Sequence, residues 1–316
     1  MAEEDWSARR QHLLSEPSAE GLAVMCEAIV PGSRCVRRQR LGGGLDSATY
    51  ALDLRTPGGE LRRVVLKRYM AGDRHLDSEW DGLRIAERLP VPSPTPLALD
   101  REGHWFGGPA LVIARLPGRP QVNRLDSEPW LRQMAGALVS IHTAVPEALA
   151  GSQLGRASPA VRPPTGTTRS RLAERSFDAL AGGLPADDEP VLCHGDFHPG
   201  NLLWYRGRLS GVVDWSDVRL GSRWNEVAYC RTDLVVLLGW RAADRLLDHY
   251  QDLSGVRARN LALWDLHCAL GAMRDYRFWL IAYRELGGGP LTRPQMAGRL
   301  SVFMRRALQE LREPSS

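Results

Sequence analysis

The sequence predicts an α+β chain in which a small lobe rich in antiparallel sheet, residues 1–115, precedes a larger helical lobe, residues 116–316. Three observations carry this. Strand-like runs and a hairpin turn crowd the chain up to about Leu116. A turn-rich break, "LPGRP" at 116–120, follows. From Trp224 to Arg312 the chain reads as mostly helical.

Each element has its own reason. Residues 18–30, "SAEGLAVMCEAIV", read as a short helix capped by Ser18. Runs near 36–43, 47–55 and 62–70 read as strands, and "TPGGE" turns the second into the third. Residues 77–89 read as a helix with Leu76, Leu83 and Ala86 on one stripe. "LALD" and "PALVIARL" complete the sheet-rich part. "DSEPWLRQMAGALVSIHTAV" opens the helical part with an Asp or Ser cap and a sustained apolar stripe. Residues 147–190 read as loop with a short helix around 168–181. Two short strands, "PVLCHG" and "LSGVVDW", bracket "CHGDFHPGNLLW" (193–204), with a turn at "YRGR".

Composition excludes several classes. With 43% apolar and 25% charged residues the chain is neither disordered nor fibrous. The longest apolar runs, "DLVVLLGW" and "RFWLIAY", fall far short of the roughly 20 residues that cross a bilayer. "MAEEDWSARR" has acids where a secretory signal carries a basic segment. Five scattered cysteines read as buried thiols of a cytoplasmic protein. Net charge is +4, arginine far outnumbers lysine, and no basic run with interleaved aromatics suggests nucleic acid. The partners expected are small molecules, with neither nucleic acid nor membrane.

Taken alone, "CHGDFHPGNLLW" suits a metal cluster led by its histidines, a catalytic loop or a polar turn. Distant residues bear on the choice. Asp214 ends an apolar strand eighteen residues after Asp196. Asp196, Asn201 and Asp214 together offer hard oxygen ligands of the kind Mg²⁺ takes with phosphate and water. Lys67 lies inside the apolar strand "VVLKRYM", where an ammonium needs an anionic partner. Glu79 falls on the inward stripe of the next helix, three residues after Leu76 and four before Leu83; Glu87 is the rival. "LGGGLDSATY" (41–50) has three glycines, which let backbone N–H groups approach phosphate oxygens.

In order along the chain, the Lys67/Glu79 pair, "LVIARLPG", "HGDFHPGN" and "GVVDW" resemble an aminoglycoside phosphotransferase, the antibiotic-kinase branch of the protein-kinase-like fold. The resemblance covers roughly residues 36–230 by motif. It implies a bilobed fold with a nucleotide-binding first lobe and a catalytic and substrate-binding second lobe. It implies that Asp196 accepts or orients the proton of a substrate hydroxyl, and that Asn201 and Asp214 hold Mg²⁺. Lys67, fixed by Glu79, would bind the α- and β-phosphates of ATP or GTP, and the loop with Gly43, Gly44 and Ser47 would cover the triphosphate. Backbone groups from Ile113 to Arg115 would read the nucleobase, with Ala114 standing where many relatives carry an acid. Glu226, where relatives usually have Asp, and His194 and His198 are given supporting roles.

The acceptor is less determined. Residues 191–316 carry 17 Lys/Arg against 13 Asp/Glu, which weakens the case for a polycationic aminoglycoside. Asp217, Asp275 and Glu285 are candidate acceptor carboxylates. Trp224, Trp240, Trp264, Trp279, Tyr276 and Tyr283 offer core packing or an amphipathic pocket. The reading is a nucleotide-dependent O-phosphotransferase acting on an antibiotic such as an aminoglycoside or macrolide. The alternatives are a kinase of a choline-like, homoserine-like or sugar metabolite, and a non-catalytic nucleotide-binding protein. A metal-dependent hydrolase built on His194, Asp196 and His198 would leave Lys67 without a role.

Overall fold

The computed structural model describes residues 13, 15–42, 47–70, 72–73, 75–122, 127–144, 149, 154–156, 159–165, 169–185, 189–274, 279–280, 283–284, 286 and 291–313. Contacts divide the chain into two compact units. The first comprises Met1–Arg88, Ser93–Pro117 and Asp214–Asp217; the second comprises Leu89–Pro92, Gly118–Val213 and Val218–Ser316.

The first unit is a five-stranded antiparallel sheet in the order β1-β2-β3-β5-β4, formed by β1 (Arg34–Arg40), β2 (Ser47–Arg55), β3 (Leu61–Tyr69), β4 (Pro96–Asp100) and β5 (Ala110–Ala114). The β2–β3 hairpin closes at the expected turn, where Gly59 adopts φ 85° and its N–H donates to Thr56. Helix α1 (Ala19–Ile29) is capped by Ser18, whose Oγ accepts the Gly21 N–H at 3.1 Å. Gly21 is required there because a Cβ would lie 2.1 Å from the Trp105 carbonyl oxygen. Leu22, Met25 and Cys26 of α1 join Tyr50, Leu52, Leu54, Val64 and Leu66 of the sheet in one buried core. Helix α2 (His75–Ala86) buries Leu76, Glu79, Gly82, Leu83, Ile85 and Ala86, the predicted stripe with an acid in it.

The second unit is mainly helical: α3 (Glu128–His142), α4 (Arg171–Asp178), α5 (Arg223–Leu238), α6 (Trp240–Ser254), α7 (Leu261–Arg274) and α8 (Arg293–Glu310). Helix α5 is its axis, and eleven of its sixteen residues are buried, as befits a helix covered by neighbours on several sides. Helices α6, α7 and α8 all pack on it. Ser222 caps α5 by accepting N–H groups of Trp224 and Asn225, and Thr292 and Gln295 form a capping box on α8.

Both bracketing strands and the turn at "YRGR" form here, and further short strands that the sequence reading lacks join them. "PVLCHG" and "LSGVVDW" do not pair with each other. β7 (Val191–Cys193) pairs with β10 (Arg219–Gly221), whereas β9 (Arg208–Val212) pairs with β8 (Leu202–Tyr205), inside the motif itself. β6 (Arg119–Pro120), within the stretch read as a break, adds a third strand to β8 and β9. Three- and four-residue strands leave little alternation to detect, so pairing decides them. The cysteines are free thiols, with Cys35 half-buried and the other four buried.

Candidate active site

Lys67 is the only lysine among 41 basic residues. It occupies β3, paired across the sheet with Thr49 and Leu111, and its side chain is buried. Its ammonium donates to Glu79 Oε1 at 2.7 Å and Oε2 at 2.5 Å, and to Asp214 Oδ1 at 3.0 Å. Tyr69 adds a hydroxyl donor to the same Glu79 carboxylate. Burial alone would pull the ammonium down, but Asp214 and Glu79 outweigh it and hold Lys67 charged above its ordinary range. Burial pushes Glu79 up, against the pull of Lys67. Glu87, the rival partner, lies just past the end of α2 and is exposed. One ammonium thus faces two carboxylates, a local excess of negative charge.

Asp214 adopts φ 66°, a left-handed conformation that Asp tolerates better than most residues. Its Oδ1 also receives the Ser216 hydroxyl at 3.3 Å. Asp217, three residues after Asp214, is exposed. Ser47 begins β2, half-buried, with its Oγ 3.5 Å from Thr49 Oγ1. Ile113 is buried in β5, whereas Arg115 is exposed, with its guanidinium 3.6 Å from Asp53. The N–H groups of Ala114 and Arg115 already donate to Thr95 and Arg63 carbonyls. Gly43, Gly44, Asp275 and Glu285 lie outside the described residues.

In the second unit, Asp196 follows β7 and precedes a short 3₁₀ turn, Pro199–Asn201. Its Oδ1 accepts the Tyr229 hydroxyl at 2.7 Å, and its Oδ2 and main-chain carbonyl accept the Asn201 side-chain amide, each at 3.0 Å. Both N–H bonds of that amide point to Asp196, so Asn201 Oδ1 is the ligand atom left to offer elsewhere. Burial would raise the Asp196 carboxyl; His198, 3.6 Å away, and the Tyr229 hydrogen bond outweigh it, leaving the group well below the usual carboxylate range.

The loop is braced by side chains on all sides. His194 is buried, accepts the Asp196 N–H on Nδ1 at 3.2 Å and donates Nε2–H to the Val213 carbonyl at 3.0 Å. Val213 in turn donates its N–H to the Asn201 carbonyl at 3.0 Å. Glu226 on α5 accepts the N–H groups of His194 at 3.1 Å and Gly195 at 2.5 Å. It also meets His142 Nε2 at 2.9 Å, while His142 Nδ1 meets the Tyr250 hydroxyl at 2.7 Å. Burial would raise Glu226; these hydrogen bonds and the nearby histidines bring it below its ordinary range instead. His142, Cys193 and Glu226 place ligand atoms within 4.8 Å of one another, yet both His142 nitrogens are taken by hydrogen bonds, so this is a brace. Arg219 donates to the Gly195 carbonyl at 3.1 Å.

Tyr229, Asp233 and Arg219 were missed in the sequence. The signal for the first two was available: Glu226, Tyr229 and Asp233 stand at i, i+3 and i+7 of a helix otherwise rich in apolar residues. Asp233 is buried, lies 3.9 Å from His198 Nδ1, and has an Oδ2 with no hydrogen-bond partner. Burial pushes it up to about 8, against the pull of His198.

A family model described as the phosphotransferase enzyme family, APH, matches residues 37–261, which is most of the chain. The chain belongs to this aminoglycoside phosphotransferase family. It is therefore a phosphotransferase with a hydroxyl acceptor, as the motifs imply. Viomycin phosphotransferase of Streptomyces vinaceus is 29% identical over 194 residues, covering 54% of this chain and 67% of that protein. The aminoglycoside phosphotransferase APH(4)-Ia matches with a TM-score of 0.59 at 20% identity, over 91% of this chain and 99% of that one. Amicoumacin kinase hAmiN, solved in complex with AMP-PNP, Ca²⁺ and Ami, matches with a TM-score of 0.59 at 13% identity, over 98% of this chain and 96% of that one. At these identities the structures establish the fold, the α+β protein-kinase-like one expected from the motifs. No helix among the described residues is long and apolar enough to cross a membrane.

Proposed function

We propose that this chain moves the γ-phosphoryl group of ATP or GTP to a hydroxyl of an antibiotic. The observation that carries the reading is the one lysine of the chain, buried and held between Glu79 and Asp214. A family kinase needs a fixed cation for phosphate oxygens, and an ammonium desolvated and oriented by two carboxylates meets that need. Lys67 would bind the α- and β-phosphates, with Glu79 orienting it, and the loop of Gly43, Gly44 and Ser47 would lie over the triphosphate. Residues 1–115 would form the nucleotide lobe and 116–316 the catalytic and acceptor lobe of a cytoplasmic enzyme.

A divalent cation, Mg²⁺ by the hardness of its ligands, fits the residues present. The Lys67, Glu79 and Asp214 group has more negative than positive charge, and the Asn201 amide is turned to present an oxygen. Asp214 and Asn201 would hold the ion, which when bound neutralises charge on the phosphates.

The remaining work falls to Asp196. Its low pKa keeps it ionised throughout the neutral range, which makes it a weak base and a good hydrogen-bond acceptor. The group is suited to aiming the acceptor hydroxyl and to taking the proton late, as a loose transition state allows. Among antibiotics, viomycin is the first acceptor to test, given the relative that bears its name.

Three measurements test this. An acyl phosphate of ATP, which acylates amines beside a bound nucleotide, is expected to label Lys67 and to be blocked by ATP. Transfer from ATP and GTP to viomycin, hygromycin B, spectinomycin, amicoumacin and a set of choline-like and sugar metabolites identifies the acceptor. Asp196→Asn is expected to reduce transfer by at least ~10²-fold. Labelling of the N-terminal amine with Lys67 untouched would refute the nucleotide assignment, and turnover confined to metabolites would refute the antibiotic one.

A further inference from the structure

Asp196 has a second anchor that the motif around it does not contain. Asn201 holds its Oδ2 from within the motif. Oδ1 is held from helix α5, 33 residues away, by the Tyr229 hydroxyl at 2.7 Å. A carboxylate tied at one oxygen still rotates about that bond; tied at both, its plane is set. The Tyr229 ring is itself confined. It meets the His198 ring edge-on at 6.5 Å and the Trp279 ring at 6.1 Å, and both of those meet Tyr283, at 6.2 and 6.4 Å. Four rings thus close a cycle of edge-to-face contacts, an arrangement favoured by ring quadrupoles. Tyr283 is buried at the back of it, whereas Tyr229, Trp279 and Asp196 each keep some exposed surface.

We propose that Tyr229 is a positioning residue for phosphoryl transfer, setting the plane of the Asp196 carboxylate so that one lone pair stays directed at the acceptor hydroxyl. The inference rests on the role proposed for Asp196. Burial would be a sufficient reason for the ring, but it does not explain the hydroxyl. A phenolic O–H placed on the carboxylate in a helix whose neighbours are mostly apolar limits the orientation of one group, and that group is Asp196. Misplacing a reacting group by a fraction of an ångström to an ångström costs up to ~10²-fold in rate.

The test is a double-mutant cycle on Asp196→Asn and Tyr229→Phe, which removes the hydroxyl and keeps the ring with its two aromatic neighbours. Transfer is measured from radiolabelled ATP to viomycin, or to water if no antibiotic is turned over. Tyr229→Phe is expected to lower kcat by ~10-fold with KM for ATP and for the acceptor within about twofold, and with the thermal midpoint little changed. In the Asp196→Asn background the same substitution is expected to change kcat by less than about twofold, because its effect passes through the group already altered. An unchanged kcat in Tyr229→Phe, a loss confined to KM, or equal losses in both backgrounds would each overturn the proposal. Full activity in Asp196→Asn alone overturns the role of Asp196 instead, so the two failures are told apart.

Discussion

Replacing Glu226 tests the brace under the Asp196 loop, and its size can be worked from the contacts. The carboxylate is 4% exposed and accepts three donors: the N–H groups of His194 and Gly195 and the Nε2–H of His142. Glu226→Ala strands all three in a buried place. Each orphaned donor costs about 1–3 kcal/mol, and partial relaxation or an entering water lowers the total, which gives about 3–6 kcal/mol. Glu226→Gln is milder. Its one carbonyl oxygen can serve the two donors now on Oε2, while its NH₂ meets the Gly195 N–H, for about 1–3 kcal/mol. At about 2 °C per kcal/mol for a chain of this size, thermal midpoints fall by roughly 6–12 °C for Ala and 2–6 °C for Gln. Phosphoryl transfer falls with both, since the loop carries Asp196. The pH dependence has a definite sign. Glu226 lies below its ordinary range when folded, so its contribution is present above the unfolded value of about 4.3 and is lost as pH falls through the folded value. The gap between native and Glu226→Gln midpoints is therefore expected to narrow below about pH 4. Midpoints measured by circular dichroism within about 1 °C of native for Glu226→Ala, or Gln as damaging as Ala, would refute the reasoning.

Three other substitutions have clear signs. Asp233 is lifted to about 8 by burial, from about 3.9 unfolded, so it favours unfolding increasingly as pH rises through that window; Asp233→Asn is expected to gain stability relative to native, by a few kcal/mol, between pH 5 and pH 8, and a pH-independent difference in denaturation midpoint would contradict this. Gly118 has φ +104°, and a Cβ there would lie 2.6 Å from the Trp204 carbonyl oxygen, whereas Gly183 has φ +84° and open space around it. Gly118→Ala should therefore destabilise by at least ~2 kcal/mol and Gly183→Ala by about 1, and equal urea midpoints for the two would count against the contact.

Much of the site was legible without coordinates, because its key signals are local. Lys67 declares itself by standing in an apolar strand, and Glu79 by interrupting the buried stripe of α2; each anomaly is visible within one turn or one pleat. The "HGDFHPGN" spacing likewise brings Asp196 and Asn201 together through a single short turn, as the amide–carboxylate bonds confirm. The absence of a strand at Leu202–Tyr205 from the sequence reading has a physical cause: four residues are too few for a period, and β8 exists because β6 and β9 flank it.

What the sequence by itself determined was the kind of chemistry: an α+β kinase-like chain, a buried lysine with its acid, and a loop carrying an aspartate and an asparagine. Tertiary structure alone decided what orients that loop. Glu226, Tyr229 and Asp233 lie about thirty residues or more from the groups they touch, on a helix whose rotation about its own axis is set by packing against α6, α7 and α8. A helical stripe can be read from spacing, but which stripe faces Asp196 depends on how every neighbour of α5 fills its side of the core.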